Sequence, residues 1–149
     1  MYQVFQGNIT PEKGTIFVFG SNPQGHHGAG SAAVAVKYFG AQYGNGEGLQ
    51  GSAYALPTTE LRREKWVKGY NQSIPEDQIV NNILRLYKVA EQNPNLDFKV
   101  AYRNQPDEVT LCGYSGQELM SLFKEAAQKH GDYPDNIFFS EEWANSGCL

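Results

Sequence analysis

The chain has 149 residues, of which 16 are glycine, with 40% hydrophobic and 19% charged residues. At this length such apolar content closes one core, which excludes intrinsic disorder, and the glycines keep no three-residue period of the collagen kind. With 12 Lys and Arg against 16 Asp and Glu, a net charge of -4 and a pI near 5.3, the chain lacks the basic footprint of a protein that binds a nucleic-acid polymer or an anionic membrane.

The first apolar runs, Tyr2 to Phe5 and Ile16 to Phe19, are separated by turn chemistry at Gly7-Asn8 and Pro11 to Gly14, and are expected as strands. A segment without bulk or charge follows, Gly20 to Gly30, and then Ser31 to Val36, whose small residues suit a helix packed closely on a sheet. Glycines return from Gly40 to Gly51, which reads as a second loop before a short buried strand, Ser52 to Leu56. Ser73 and Glu76 have capping-box spacing with Pro75 tolerated in the first turn, and Ile79, Val80, Ile83, Leu84, Tyr87 and Ala90 recur at helical period until Asn93-Pro94. Phe98 to Tyr102 alternates like a strand, and Val109 to Leu111 is a second extended piece. Ser115 and Glu118 form another capping-box pair ahead of Leu119, Leu122, Phe123, Ala126 and Ala127, and a last strand, Ile137 to Phe139, precedes an acidic tail with Trp143. Alternating strands and helices predict a single α/β domain over residues 1–149, with a mainly parallel sheet and an antiparallel first strand.

The two cysteines, Cys112 and Cys148, lack metal-ligand spacing and are too few for a disulfide framework. No signal-peptide pattern and no membrane-length apolar run is present, so a reduced, cytoplasmic protein is expected, with no membrane partner, metal or resident cofactor. Cys112, near a helix start, has the position of a low-pKa nucleophile and also that of the commoner buried thiol at a strand end. Gly113-Tyr114-Ser115-Gly116 fails the spacing of a serine-hydrolase elbow, and the basic aromatic run Lys65, Trp66, Lys68 and Tyr70 is interspersed with acids like an ordinary solvated segment.

The glycine loop from Asn22 to Gly30 carries the strongest chemical signal. Backbone N–H groups freed by glycine, with a helix N-terminus behind them, hold phosphate without Lys or Arg. Between Gly14 and Thr59 the only Lys, Arg, Asp or Glu residues are Lys37 and Glu47, so an anion bound here would rest on dipoles. No Gly-Lys-Ser or Gly-Lys-Thr of a nucleotide-triphosphate loop occurs. Gly28-Ala29-Gly30-Ser31-Ala32-Ala33 matches the dinucleotide fingerprint of oxidoreductases, but Ser21 to His27 separate it from its strand, and Glu47 would have to be its acidic residue. A third reading gives the glycines to turns and close packing in an interaction or structural domain that binds no nucleotide.

Gly7-Asn8-Ile9-Thr10, the strand ending before Ser21-Asn22, the glycine loop with its small-residue helix, and Gly51-Ser52-Ala53-Tyr54-Ala55-Leu56-Pro57 follow the order of motifs in the macro domains, which this chain resembles. Cys112-Gly113-Tyr114-Ser115-Gly116, opening a helix, resembles that family's second phosphate-clasping loop. The resemblance implies a three-layer α/β/α fold, a mainly parallel mixed sheet with helices on both faces. It also implies that the partner is ADP-ribose, a related nucleoside diphosphate or an ADP-ribosylated substrate. On this resemblance Asn8 and the backbone of Ile9 would meet the adenine, Asn22 would lie near the distal ribose, and Ser21 would be a further ligand contact. Gly28, Ala29 and Gly30 would embrace the diphosphate together with Gly113, Tyr114, Ser115 and Gly116. The chain departs from the family at Asn8, an amide in place of the family's aspartate, which weakens the bond to adenine. The first loop also lacks the acid common in the family's hydrolases. If an ADP-ribosyl bond is hydrolysed, Asn22, His26 and His27 are the candidate catalytic residues, the histidines as base or proton donor.

Overall fold

Strand β2, Thr15–Ser21, is buried along almost its whole length, and its alternating side chains found two separate cores. The computed structural model describes residues 1–28, 30–61, 74–102 and 113–149. Ala29, Ser73, Cys112, the Lys65 to Tyr70 run and the extended piece Val109 to Leu111 lie outside the described residues.

Besides β2, the elements are β1 (Gln3–Phe5), α1 (Gly30–Phe39), β3 (Gly48–Gln50), β4 (Ala53–Pro57), α2 (Glu76–Gln92), β5 (Asp97–Val100), α3 (Gly116–His130), β6 (Ile137–Ser140) and α4 (Glu141–Asn145). They build an α/β protein around a six-stranded sheet in the order β1-β6-β5-β2-β4-β3. On one face Phe17, Phe19, Ala53 and Ala55 pack with Ala32, Ala35 and Phe39 of α1. The opposite face sets Ile16, Val18, Phe98 and Phe139 against α2 and α3 in the larger core. The period-two geometry of a strand makes this division, because odd and even residues of β2 point to opposite faces. Alanines on α1 let its backbone lie close to the sheet, whereas α2 and α3 present Ile79, Ile83, Leu86, Leu119 and Phe123. The phenol of Tyr87 joins those two helices by donating to the carbonyl of Phe123 at 2.8 Å.

The sheet is mainly parallel, but its antiparallel strand is β3 and not β1. β1 runs parallel to β6, with Val4 opposite Phe139, because the connection from Gln6 to Gly14 carries the chain from the sheet edge to its centre. β3 turns back on β4 through Gly51-Ser52, with Gly51 at φ 59°, and a two-residue link of that kind joins antiparallel strands. Residues 48–50, expected as loop, are therefore paired.

The two expected capping boxes differ. At α3, Glu118 N–H donates to Ser115 Oγ at 3.0 Å and Ser115 N–H to Glu118 Oε1 at 2.9 Å. At α2 the residue before the helix is Pro75, at φ -59° and ψ 150°, and Glu76 is the first helical residue rather than the third. Proline has no side-chain oxygen to accept from the first-turn N–H groups and no N–H for a reciprocal bond, so the helix starts after it without a side-chain cap. The acidic tail is the short helix α4, whose Trp143 is fully buried. No described helix is long and apolar enough to cross a membrane.

Candidate functional site

The parallel strands place the carboxyl ends of β1, β6, β5, β2 and β4 at one edge of the sheet. From that edge leave the loops that hold Asn8 and Ile9, Asn22 to Gly28, and Gly113 to Ser115. β2 is followed by α1 on one face and leads towards β3 and β4, while β5 is followed by α3 on the other face and leads to β6. The two connections diverge between β2 and β5, a topological switch point of the kind at which open α/β sheets form a ligand crevice.

On the α1 side of this point Asn8, Ile9, Phe17, Val34 and Ala101 line a cavity of about 290 Å³, near the small end of the roughly 300–1,000 Å³ usual for ligand pockets. Its wall is apolar apart from the exposed Asn8. Phe17 is held in place by a stacked contact with Phe39, ring centres 4.4 Å apart.

The glycine loop is tightly constrained up to Gly28. Asn22, 8% exposed, closes it on itself: Nδ2 donates to the carbonyl of His26 at 3.0 Å, and Oδ1 accepts from the N–H of His26 at 2.9 Å. The carbonyl of Ser21 accepts from both Thr58 N–H and Thr59 N–H, at 3.0 and 3.2 Å. Gly25, at φ 70°, lies against the second glycine cluster, where a Cβ would come within 2.6 Å of Asn45 N, and Gly44 N–H donates to the carbonyl of Gly25 at 2.7 Å. A Cβ on Gly46 would overlap the carbonyl oxygen of Asn22. These glycines serve backbone-to-backbone packing. At Gly28 the geometry differs, since φ is ordinary and a Cβ would meet nothing within 4 Å. Gly30 is exposed and opens α1 with φ 61°.

The histidine pair is split. His26 is exposed, with its ring stacked on Tyr43 at 5.7 Å. His27 is 3% exposed; its Nε2 lies 2.8 Å from the carbonyl of Asn45, which makes Nε2 the donor, and Nδ1 is buried without a partner. Asn22 and His27 thus act within the loop, and His26 alone presents its ring to solvent.

The second loop offers backbone more than side chains. Gly113 has φ 83°. Tyr114, 1% exposed, points into the larger core and donates to the carbonyl of Ile74 at 2.7 Å. Ser115 and Glu118 cap α3 on each other, which brings a carboxylate of the chain itself to the N-terminus of that helix. Gly116 is buried as the first residue of α3.

No family model, curated protein or solved structure matches this chain.

Among the described residues no group of three or more His, Cys, Asp or Glu could hold a metal ion. A larger cavity of about 500 Å³ lies on the α2 side, between Pro23, Gly46, Pro57 and the α2 residues Gln78, Asn82 and Arg85. Glu47, the acid that the oxidoreductase fingerprint would require, lines it, whereas none of the contacts implied by the macro-domain resemblance does. Most of its polar groups engage one another: Arg85 donates to Glu47 through Nε at 3.1 Å and Nη2 at 2.9 Å, Asn82 Nδ2 donates to the carbonyl of Pro57 at 2.9 Å, and Gln78 donates to Asn82, while Glu60 accepts from Gln24. Sequence reasoning missed Tyr43, whose only signal was an aromatic ring inside a glycine cluster. It also missed Tyr102 and Thr58, whose hydroxyls meet beside β2.

Proposed function

We propose that this chain is a macro-like domain that binds ADP-ribose or a related nucleoside diphosphate in the crevice at the switch point. The observation that carries this reading is the convergence on one sheet edge of an apolar cavity at Asn8 and Ile9, the open backbone at Gly28 and Gly30 leading into α1, and the loop before α3. An adenine would fill the cavity between Phe17, Val34 and Ala101, with Asn8 at its polar edge. The diphosphate would lie on amides at the start of α1, where the helix dipole favours an anion and no side-chain cation is needed. The layers fit the same reading, with α1 on one side of the sheet and α2 and α3 on the other. Binding is the core of the proposal; hydrolysis of an ADP-ribosyl bond would fall to His26, because the imidazole of His27 is closed off by burial and by Asn45.

Calorimetric titration of ADP-ribose into the wild type and into Gly28→Glu is the test. Saturable heat for the wild type and its loss in the variant are expected, since Gly28 has room for a side chain and a glutamate there would bring like charge to the diphosphate. No heat from the wild type at millimolar ligand would end the reading.

A second reading, a domain that uses its glycines for packing and binds no nucleotide, is favoured by one observation: Gly25, Gly44 and Gly46 are all occupied in joining the two loops. The oxidoreductase reading has less support. β2 ends at Ser21, so Asn22 to His27 stand between the strand and the fingerprint, and Glu47 is paired with Arg85 ahead of β3 rather than at a strand end.

A further inference from the structure

From the core outwards, six rings touch in series along the glycine loop. Phe39 packs on Phe17 with centres 4.4 Å apart, Phe17 on Phe19 at 6.5 Å, Phe19 on His27 at 5.1 Å, His27 on Tyr43 at 6.3 Å, and Tyr43 on His26 at 5.7 Å. The inner four are buried, whereas His26 is exposed and Tyr43 is 65% exposed. The backbone beneath the two outer rings is anchored on both sides, His26 by the paired bonds to Asn22 and the Tyr43 loop by Gly44 N–H on Gly25 and by Asn45 N–H on the carbonyl of Gln42 at 3.1 Å. Their planes lie within 15° of parallel and both residues are exposed, with His26 two residues from the open space at Gly28.

We propose that Tyr43 and His26 form a stacking platform for a second flat ring of the ligand, so that this crevice takes a dinucleotide of the oxidised nicotinamide type in preference to ADP-ribose. The inference rests on the reading of the crevice as a nucleoside diphosphate site. ADP-ribose carries one aromatic base, and the cavity at Phe17 and Val34 accounts for it. A ring joined to the second ribose would emerge beside His26 and cover Tyr43. Stacking on an anchored tyrosine needs no hydrogen bond, and a cationic pyridinium gains further from the electron-rich face of the phenol.

The test is calorimetric titration of the full chain with ADP-ribose and with oxidised nicotinamide dinucleotide, for the wild type, Tyr43→Ala and Tyr43→Phe. The wild type should bind the dinucleotide about tenfold more tightly than ADP-ribose, Tyr43→Ala should lose that advantage with ADP-ribose affinity unchanged, and Tyr43→Phe should keep most of it. Equal affinities for the two ligands in the wild type would overturn the platform while leaving ADP-ribose binding standing, and so would an equal loss of both ligands in Tyr43→Ala. Absence of binding by either ligand would remove the diphosphate reading and the platform with it.

Discussion

The phenol oxygen of Tyr102 and the hydroxyl of Thr58 lie 2.9 Å apart, and they meet over the bare Cα of Gly20. Tyr102 follows β5 and Thr58 follows β4, so this bond bridges the two strands that flank β2 at the sheet edge from which the glycine loop leaves. A Cβ on Gly20 would overlap Tyr102 Oη and approach Thr58 Oγ1 to 3.3 Å. Gly20→Ala is therefore expected to destabilise the fold by about 1–3 kcal/mol through overpacking, and Tyr102→Phe by about 1 kcal/mol through the lost bond. The double variant should cost less than the sum, because removing the phenol oxygen relieves the overlap. Urea unfolding of the three variants measures this, and strict additivity would show that the Tyr102 hydroxyl does not lie over Gly20.

The two glycines of the first loop should respond oppositely to alanine. Gly25→Ala puts a side chain at φ 70° against the backbone of residues 44 and 45, and a loss of about 2 kcal/mol or more is expected. Gly28→Ala meets open space at an ordinary φ and should stay within about 0.5 kcal/mol of the wild type. Denaturation midpoints of the pair decide it, and equal losses would mean that Gly28 is also spent on packing.

Asn22 governs the order of the loop that the proposed ligand needs. Replacement by alanine leaves the N–H and the carbonyl of His26 without their partner, at a cost of about 1–3 kcal/mol. Hydrogen exchange at the His26 amide should accelerate, and the affinity for ADP-ribose should fall at least tenfold. Asn22→Asp keeps the acceptor but not the donor, so it should fall between the two. An unchanged exchange rate in Asn22→Ala would rule out the clasp.

Alkaline pH should unfold the protein through its buried phenols. Burial first, and then the neighbouring Glu47, push Tyr54 up to about 12. Burial, Tyr2 and Asp132 do the same for Tyr133, also to about 12, and burial holds Tyr87 well above the ordinary value of 10.0. In the unfolded chain these groups ionise near pH 10. Their contribution is therefore complete below about pH 10 and is lost as the pH rises towards about 12, because the unfolded state releases its protons first. Melting temperatures followed from neutral to alkaline pH should fall in that window, with a shallower fall for Tyr54→Phe. Identical slopes for the variant and the wild type would exclude Tyr54 from the effect.

Helices α2 and α3 were legible because Ile79, Ile83 and Leu86, or Leu119, Phe123 and Ala126, repeat every turn, and such a period reports burial whatever lies opposite. β3 was not legible, since Gly48-Leu49-Gln50 is too short to show alternation and sits among turn-forming glycines. The direction of β1 depends on β6, whose paired residues lie more than a hundred positions away, and no local pattern encodes that choice. Around the candidate site, glycine content and absence of charge marked the two loops that the structure packs against each other, because backbone-to-backbone contact leaves a trace in composition. The commitments of individual side chains left no such trace: Tyr114 is held by Ile74, His27 by Asn45 and Tyr102 by Thr58, partners 40, 18 and 44 residues away in the chain.

The bond from Gly44 N–H to the Gly25 carbonyl, and the absence of room for a Cβ at Gly25 and Gly46, make the two glycine-rich segments a single interlocked part, although a whole helix separates them in the chain. Transplanting the first loop alone onto another α/β scaffold would leave Gly25 without the backbone of residues 44 and 45 on which it packs. The transferable module is the stretch from β2 through α1 to β3, and any redesign of either loop must vary residues 22–28 and 40–47 together.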